Sequence, residues 1–134
     1  MLKNKSSETA EGVAASRAME SKRPENQRVI YDPYAQLFLG SKWLKWVKYP
    51  FLTWLFYRLG DLKFPGFRGS VIARVCFMNQ CIKNCFPGDF TQLVILGAGY
   101  DMSAFYFHDI LSRAKVFEVD HPNTQKDKVA KIKE

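Results

Sequence analysis

Apolar positions follow a helical period over roughly the first two thirds of the chain and then give way to short strand-like runs. From Thr9 to Glu20, Ala, Val and Met alternate with charges at helical spacing, and Lys22-Arg23-Pro24-Glu25-Asn26 breaks the pattern, which predicts a helix and a turn. Asp32-Pro33 has the form of an N-cap followed by proline in the first helical position. It predicts a second helix through Tyr34–Leu39, ended by Gly40, with Leu37 and Phe38 turned inward. Between Ser41 and Leu59, Trp43, Leu44, Trp46 and Val47, then Phe51, Leu52, Trp54, Leu55 and Phe56, predict two short amphipathic helices interrupted at Pro50. After the turn Lys63-Phe64-Pro65-Gly66, a further helix over Gly69–Cys85 gathers Ile72, Val75, Cys76, Asn79 and Ile82 near one face and stops at Phe86-Pro87-Gly88-Asp89.

The period then changes. Gln92-Leu93-Val94-Ile95-Leu96 is a continuous apolar run that predicts a buried parallel strand. Gly97-Ala98-Gly99 turns the chain, Asp101 can cap a helix from Met102 to about Leu111, and Lys115-Val116-Phe117-Glu118-Val119-Asp120 is a second strand stopped by His121-Pro122. Strand, glycine-rich turn, helix and acidic-ended strand form the opening βαβ unit of a Rossmann-like sheet, so the fold class is α/β: a helical N-terminal cap followed by a first βαβ unit. The expected organisation is a disordered stretch over 1–8, a helical cap and lid over 9–90, and the start of a cofactor-binding sheet over 91–134. The chain is expected to stop inside the helix after the second strand, as a truncated fragment.

A ligand can lie against the backbone of such a turn only where side chains are small, and Gly97, Ala98 and Gly99 meet that demand. Glu118 and Asp120 are two positions apart and project from one face at the end of the second strand, where a ribose diol would donate to one of them. Asp120 is the first candidate and Glu118 the second. A nicotinamide dinucleotide site uses the same turn and an acidic residue roughly 20 positions on, but its fingerprint wants a third glycine where this chain has Met102.

Composition changes this picture only in part. The formal charge of +7 comes from dispersed lysines, such as Lys42, Lys45 and Lys48 or Lys126, Lys128, Lys131 and Lys133. They predict solvated helix faces and no nucleic-acid partner. Aromatic residues make up 15% of the chain and cluster between Trp43 and Phe67. That cluster allows a flap over an apolar substrate pocket, a helical pair packed on the domain, or an interfacial membrane contact, the last not favoured. The three cysteines, Cys76, Cys81 and Cys85, lack Cys-x-x-Cys spacing and a nearby histidine, and are assigned as reduced core thiols with neither metal nor disulfide. No secretory signal is apparent, and the protein is expected in the cytoplasm.

Several separated motifs carry a resemblance. Thr9-Ala10-Glu11-Gly12-Val13-Ala14, Arg17-Ala18, Glu20-Ser21, Asp32-Pro33-Tyr34-Ala35, Arg68-Gly69 with Ala73-Arg74, Leu96-Gly97-Ala98-Gly99-Tyr100-Asp101 and Phe117-Glu118-Val119-Asp120-His121-Pro122 occur in this order. The chain resembles the leucine carboxyl methyltransferase family and its bacterial-type class I S-adenosylmethionine-dependent O-methyltransferase relatives, from about Thr9 to its end. The resemblance implies S-adenosylmethionine as cofactor and the N-terminal portion of a Rossmann-like class I methyltransferase, with extra helices closing over the cofactor. It implies that Arg74 pairs with the methionine carboxylate, that Gly97, Ala98 and Gly99 line the methionyl and ribose portion, that Asp120 holds the ribose, and that His121 lies near the adenine; Asp101 and Glu118 are further cofactor-binding candidates. Arg17 falls in a second basic segment facing the carboxylate. The implied reaction is methyl transfer to a carboxylate or hydroxyl oxygen of a small molecule or a protein carboxylate; catalytic residues are not assigned. One departure stands out: the family's glycine turn is followed by Asp-Thr-Arg, and this chain has Asp101-Met102-Ser103. The isolated chain is expected to be marginally stable and without turnover.

Overall fold

The computed structural model describes residues 8–133, so the disorder expected for residues 1–7 lies outside the described residues, and Glu8 already belongs to the first helix. In chain order the elements are α1 (Glu8–Ser21), α2 (Ser41–Lys48), α3 (Pro50–Lys63), α4 (Phe67–Cys85), β1 (Gln92–Leu96), α5 (Ser103–Tyr106), β2 (Lys115–Val119) and α6 (Pro122–Lys133). The fold is helix-rich, with one parallel pair of strands whose register runs from Gln92 opposite Lys115 to Leu96 opposite Val119.

α1 is the centre of the packing. Ala14, Ala15, Ala18 and Met19 are fully buried, and the small side chains of the three alanines let Phe38, Val47, Tyr100 and Met102 close around the helix. This core draws on both the helical segment and the glycine turn: the Phe38 and Tyr100 rings stack with centroids 4.7 Å apart and planes 13° apart. Pro50 opens α3 in the first turn, where its missing N–H costs nothing, so it separates α2 from α3 as its position predicts.

The structure corrects several expectations. The helix expected over Tyr34–Leu39 is a single 3-10 turn, Ala35–Phe38, because Leu39 and Gly40 are already extended. Asp32 still starts it, accepting the Tyr34 and Ala35 N–H groups at 2.9 and 2.8 Å, but only Phe38 turns inward and Leu37 is exposed. α5 ends at Tyr106 rather than near Leu111. The partly buried Tyr106 and buried Leu111 are five positions apart, which a continuous helix would set about 140° apart; turns over 107–114 bring both inward instead. On α4, Val71, Ile72 and Ile82 are buried and Val75, Cys76 and Asn79 only half-buried, while Cys85 is exposed and is no core thiol.

β1 is not buried as expected. Both strands alternate exposed and half-buried positions, leaving Val94, Leu96, Phe117 and Val119 open on one face. Among the described residues only the other face, carrying Leu93 and Ile95, looks toward a helix, α4, across a cleft. Lys128 overturns the expectation that the α6 lysines form a solvated face: it is 2% exposed. Lys42, Lys45 and Lys48 on α2 are exposed as expected.

Candidate functional site

The glycine turn is pinned at the carboxyl end of the strands. The Gly97 and Ala98 N–H groups both donate to the Val119 carbonyl, at 2.8 and 3.2 Å, so the turn folds back over the end of β2. Gly97 and Gly99 have φ of +64° and +53°, a region that side-chain-bearing residues seldom adopt. A Cβ on Gly99 would also stand 3.3 Å from Ala10 Cβ of α1 and 3.9 Å from Asp120 Oδ2. The turn therefore needs glycine at this position for conformation and for the approach of α1.

Asp120 follows β2 directly. Its Oδ2 accepts the Gly99 N–H at 2.5 Å and its Oδ1 accepts the His121 N–H at 2.5 Å. Each carboxylate oxygen keeps a lone pair beyond these bonds, so Asp120 is held in place and can still accept from a ligand hydroxyl. It opens into a cleft of about 380 Å³ between α1, α4 and the glycine turn, a size suited to a small-molecule cofactor. Arg17, Arg74, Asp101 and the Gly97–Gly99 backbone also line this cleft.

The sequence candidates are thus sorted by geometry. Gly97, Ala98, Gly99, Asp101, Asp120 and Arg74 come together around one cavity, with Arg74 exposed at its edge. Asp101 Oδ1 is turned to the Ser103 N–H at 2.7 Å, which closes the start of α5. Glu118 is directed elsewhere, to Lys128 Nζ at 2.5 Å, and does not line the cleft. His121 is exposed outside the lining, its Nδ1 accepting the Asn123 N–H at 3.2 Å.

Two interaction networks hold the cleft, and pattern reasoning missed both. Arg17, buried in α1, donates from Nη2 to the Tyr100 carbonyl at 2.7 Å and lies 3.4 Å from Asp32 Oδ2 through Nη1, an ion pair without hydrogen-bond alignment. Asp32 Oδ1 also receives the Tyr106 hydroxyl, so α1, the 3-10 turn, the glycine turn and α5 share one polar knot. Burial, reinforced by the Asp32 carboxylate it faces, pushes the Tyr106 phenol well above its ordinary range, which keeps it a donor. In the second network Lys128 donates to both Glu118 and the Asp101 carbonyl, while Tyr100 donates to Asp127 Oδ2 at 2.5 Å. No sequence signal separates Lys128 from its neighbours on α6.

A second cavity of about 560 Å³ lies on the other flank of α1, against α2 and α3. Its wall includes Tyr57, whose phenol burial holds above its ordinary value, and Arg68, whose guanidinium stands 4.1 Å from the Tyr57 ring centroid.

A mixed polar and backbone-lined cleft at the carboxyl ends of parallel strands, with an acidic residue at the second strand's end, is the arrangement in which parallel sheets commonly hold nucleotide-type cofactors. The chain belongs to the leucine carboxyl methyltransferase family, whose model matches residues 10–134. It is 37% identical over 117 residues to a protein of Rhodococcus jostii strain RHA1 provisionally named an S-adenosyl-L-methionine-dependent methyltransferase, covering 85% of this chain and 36% of that protein. It is 38% identical over 63 residues to YktD of Bacillus subtilis strain 168, provisionally named in the same way, covering 47% of this chain and 21% of that protein. The chain therefore spans only about a third or less of the length of these relatives. No solved structure matches it.

Proposed function

We propose that the chain builds the cofactor-binding part of an S-adenosylmethionine-dependent O-methyltransferase. The observation that carries this reading is Asp120, fixed by the Gly99 N–H at the carboxyl end of β2 and open to the cleft. The residues fit the group. Arg17 Nε is buried beside the cleft with no hydrogen-bond partner among the described residues. A buried guanidinium N–H of this kind suits a carboxylate, and Arg74 at the rim offers a second cation. Asp120 would accept from the ribose hydroxyls, and the Gly97–Gly99 backbone leaves room for the chain between them. His121 toward the adenine and Glu118 near the ribose are weaker members of the proposal, because one is exposed and the other is committed to Lys128.

When bound, S-adenosylmethionine supplies an electrophilic methyl group on a sulfonium. This chain's residues orient and desolvate: the two arginines fix the carboxylate end, Asp120 the ribose end, and α1 covers the space between. A carboxylate or hydroxyl oxygen is the proposed acceptor, on a small molecule or a protein, and no nucleic-acid partner is proposed. The free thiols of Cys76, Cys81 and Cys85 suit a reducing compartment such as the cytoplasm. Among the described residues no helix is long and apolar enough to cross a membrane.

Calorimetric titration with S-adenosylhomocysteine tests the reading, with NADH as comparator. Saturable binding that weakens at least about tenfold in Asp120→Asn and in Arg74→Ala is expected, one lost charge-assisted contact being worth about 1.5–3 kcal/mol. Preferential NADH binding would replace the methyltransferase reading with the nicotinamide one, and no binding of either by folded protein would remove both.

A further inference from the structure

We infer that the cavity between α1, α2 and α3 is a binding site for a planar, largely apolar molecule bearing one anionic group, and, resting on the cofactor reading above, that this molecule is the methyl acceptor. Six aromatic side chains, Trp43, Trp46, Phe56, Tyr57, Phe64 and Phe67, contribute to its wall. Trp43 and Trp46 converge on Phe56, with ring centroids 5.5 and 5.8 Å away. Rings in these tilted and edge-on arrangements offer faces and edges to a further flat molecule. A volume of about 560 Å³ is in the range of small-molecule sites.

Gly60 is the more telling residue. It lies within α3, where glycine is unfavourable to the helix, and it lines the cavity. Its φ is not positive, and a Cβ built on it would meet nothing within 4 Å. Neither turn geometry nor close packing calls for glycine there. A side chain there would extend into open space beside the cavity wall.

The charges at the cavity choose the ligand's sign. Lys63 and Arg68 stand against the single carboxylate of Asp61, leaving one net positive charge in the lining. Ser16, also in the wall, already donates its hydroxyl to the Gly12 carbonyl at 3.1 Å and has no second proton to offer a ligand. Position supplies the link to the reaction. Thr9 and Val13, one helical turn apart on α1, line both this cavity and the cofactor cleft, so the two sites share a wall where a bound acceptor and the cofactor's reacting end would approach each other.

The probes are 2-naphthoate and its uncharged analogue 2-naphthamide, titrated calorimetrically into the full chain and its variants, with S-adenosylhomocysteine titrated in parallel. Naphthoate is expected to bind at one site, about threefold or more tightly than naphthamide, as partly exposed cations allow. The Lys63→Gln/Arg68→Gln pair should erase that preference. Gly60→Leu fills the open space and should weaken naphthoate at least about tenfold while leaving S-adenosylhomocysteine binding and the helical circular dichroism unchanged. Gly60→Ala, which adds one methyl group and favours the helix, should weaken naphthoate less and serves if the leucine variant does not fold. Naphthoate affinity unchanged in a folded Gly60→Leu protein, or no naphthoate binding by a chain that binds S-adenosylhomocysteine, overturns the inference alone. Gly60-sensitive naphthoate binding without S-adenosylhomocysteine binding upholds the aromatic site and removes the cofactor reading and the acceptor role with it.

Discussion

Lys128→Met asks whether the glycine turn is held from beneath by a buried charge. Lys128 is 2% exposed, its Nζ donates to Glu118 Oε2 at 2.5 Å and to the Asp101 carbonyl, and the Glu118 side chain is 18% exposed. Methionine keeps the apolar stem but strands an ionised Glu118 and takes a donor from Asp101. Removing one partner of a buried pair costs about 3–5 kcal/mol. Water reaches Glu118 in part, which puts the expectation at the lower end, about 3 kcal/mol. A chain of this size exposes a urea dependence of about 1.5 kcal/mol per molar, so the midpoint should fall by about 2 M, followed by far-UV circular dichroism at pH 7. Glu118→Gln placed in the Lys128→Met background removes the stranded charge and should recover about 2 kcal/mol, a coupling that independent sites do not show. A Lys128→Met protein within about 0.5 kcal/mol of the parent, or a double variant as unstable as the sum of the two single ones, would falsify the buried-anchor argument.

Other expectations follow from the same geometry. Gly99→Ala forces a side chain into φ +53° against Ala10 at 3.3 Å, whereas Gly97→Ala meets only the conformational term at φ +64°. Gly99→Ala should therefore lose more stability, about 2 kcal/mol against about 1, and more S-adenosylhomocysteine affinity; equal losses in parallel melts and titrations would contradict the close approach of α1. Burial acts to raise the Asp127 carboxyl, but the Lys131 ammonium at 2.9 Å and the Tyr100 hydroxyl outweigh it and hold the group below its ordinary value of 3.8. The unfolded chain then takes up this proton first, so the contribution is present above about pH 4 and is lost as pH falls through the depressed value. Asp127→Asn should flatten that part of an acid stability curve, and an unchanged slope would count against the pairing. The Tyr106 phenol is shifted the other way, by burial first and Asp32 second, so its contribution is present below pH 10.0 and lost above it as the unfolded chain ionises first. Tyr106→Phe should cost about 1–2 kcal/mol at pH 7 and remove the alkaline loss, because Asp32 Oδ1 keeps the Tyr34 and Ala35 N–H groups. Alkaline melts of the two proteins that run parallel would disprove it.

The strands, the glycine turn and Asp120 were legible in the sequence because each rests on local chemistry. A four-residue apolar run, Leu93-Val94-Ile95-Leu96, bounded by glycine sets β1, positive φ at Gly97 and Gly99 demands glycine, and the end of β2 puts Asp120 beside that turn. Pro50 likewise divides two helices by its own covalent structure. Leu37 and the length of α5 were not legible, since adjacent apolar residues in a short segment do not say which is turned in until Phe38 meets Tyr100 and Leu111 is drawn under the turn.

Among the polar residues, spacing put Glu118 and Asp120 on one face with Asp120 ranked first, and the approach of α6 showed what separates them. Lys128 claims Glu118, while the Gly99 N–H turns Asp120 to the cleft. Arg17, Asp32 and Tyr106 are too far apart in sequence for any local pattern to join them, yet burial leaves each needing a partner and the fold provides one. The sequence by itself determined which residues could turn, cap and carry charge, because those properties belong to single side chains and their neighbours. The tertiary structure decided which charges face the cleft and which are used to hold its walls, because that choice depends on desolvation by elements distant along the chain.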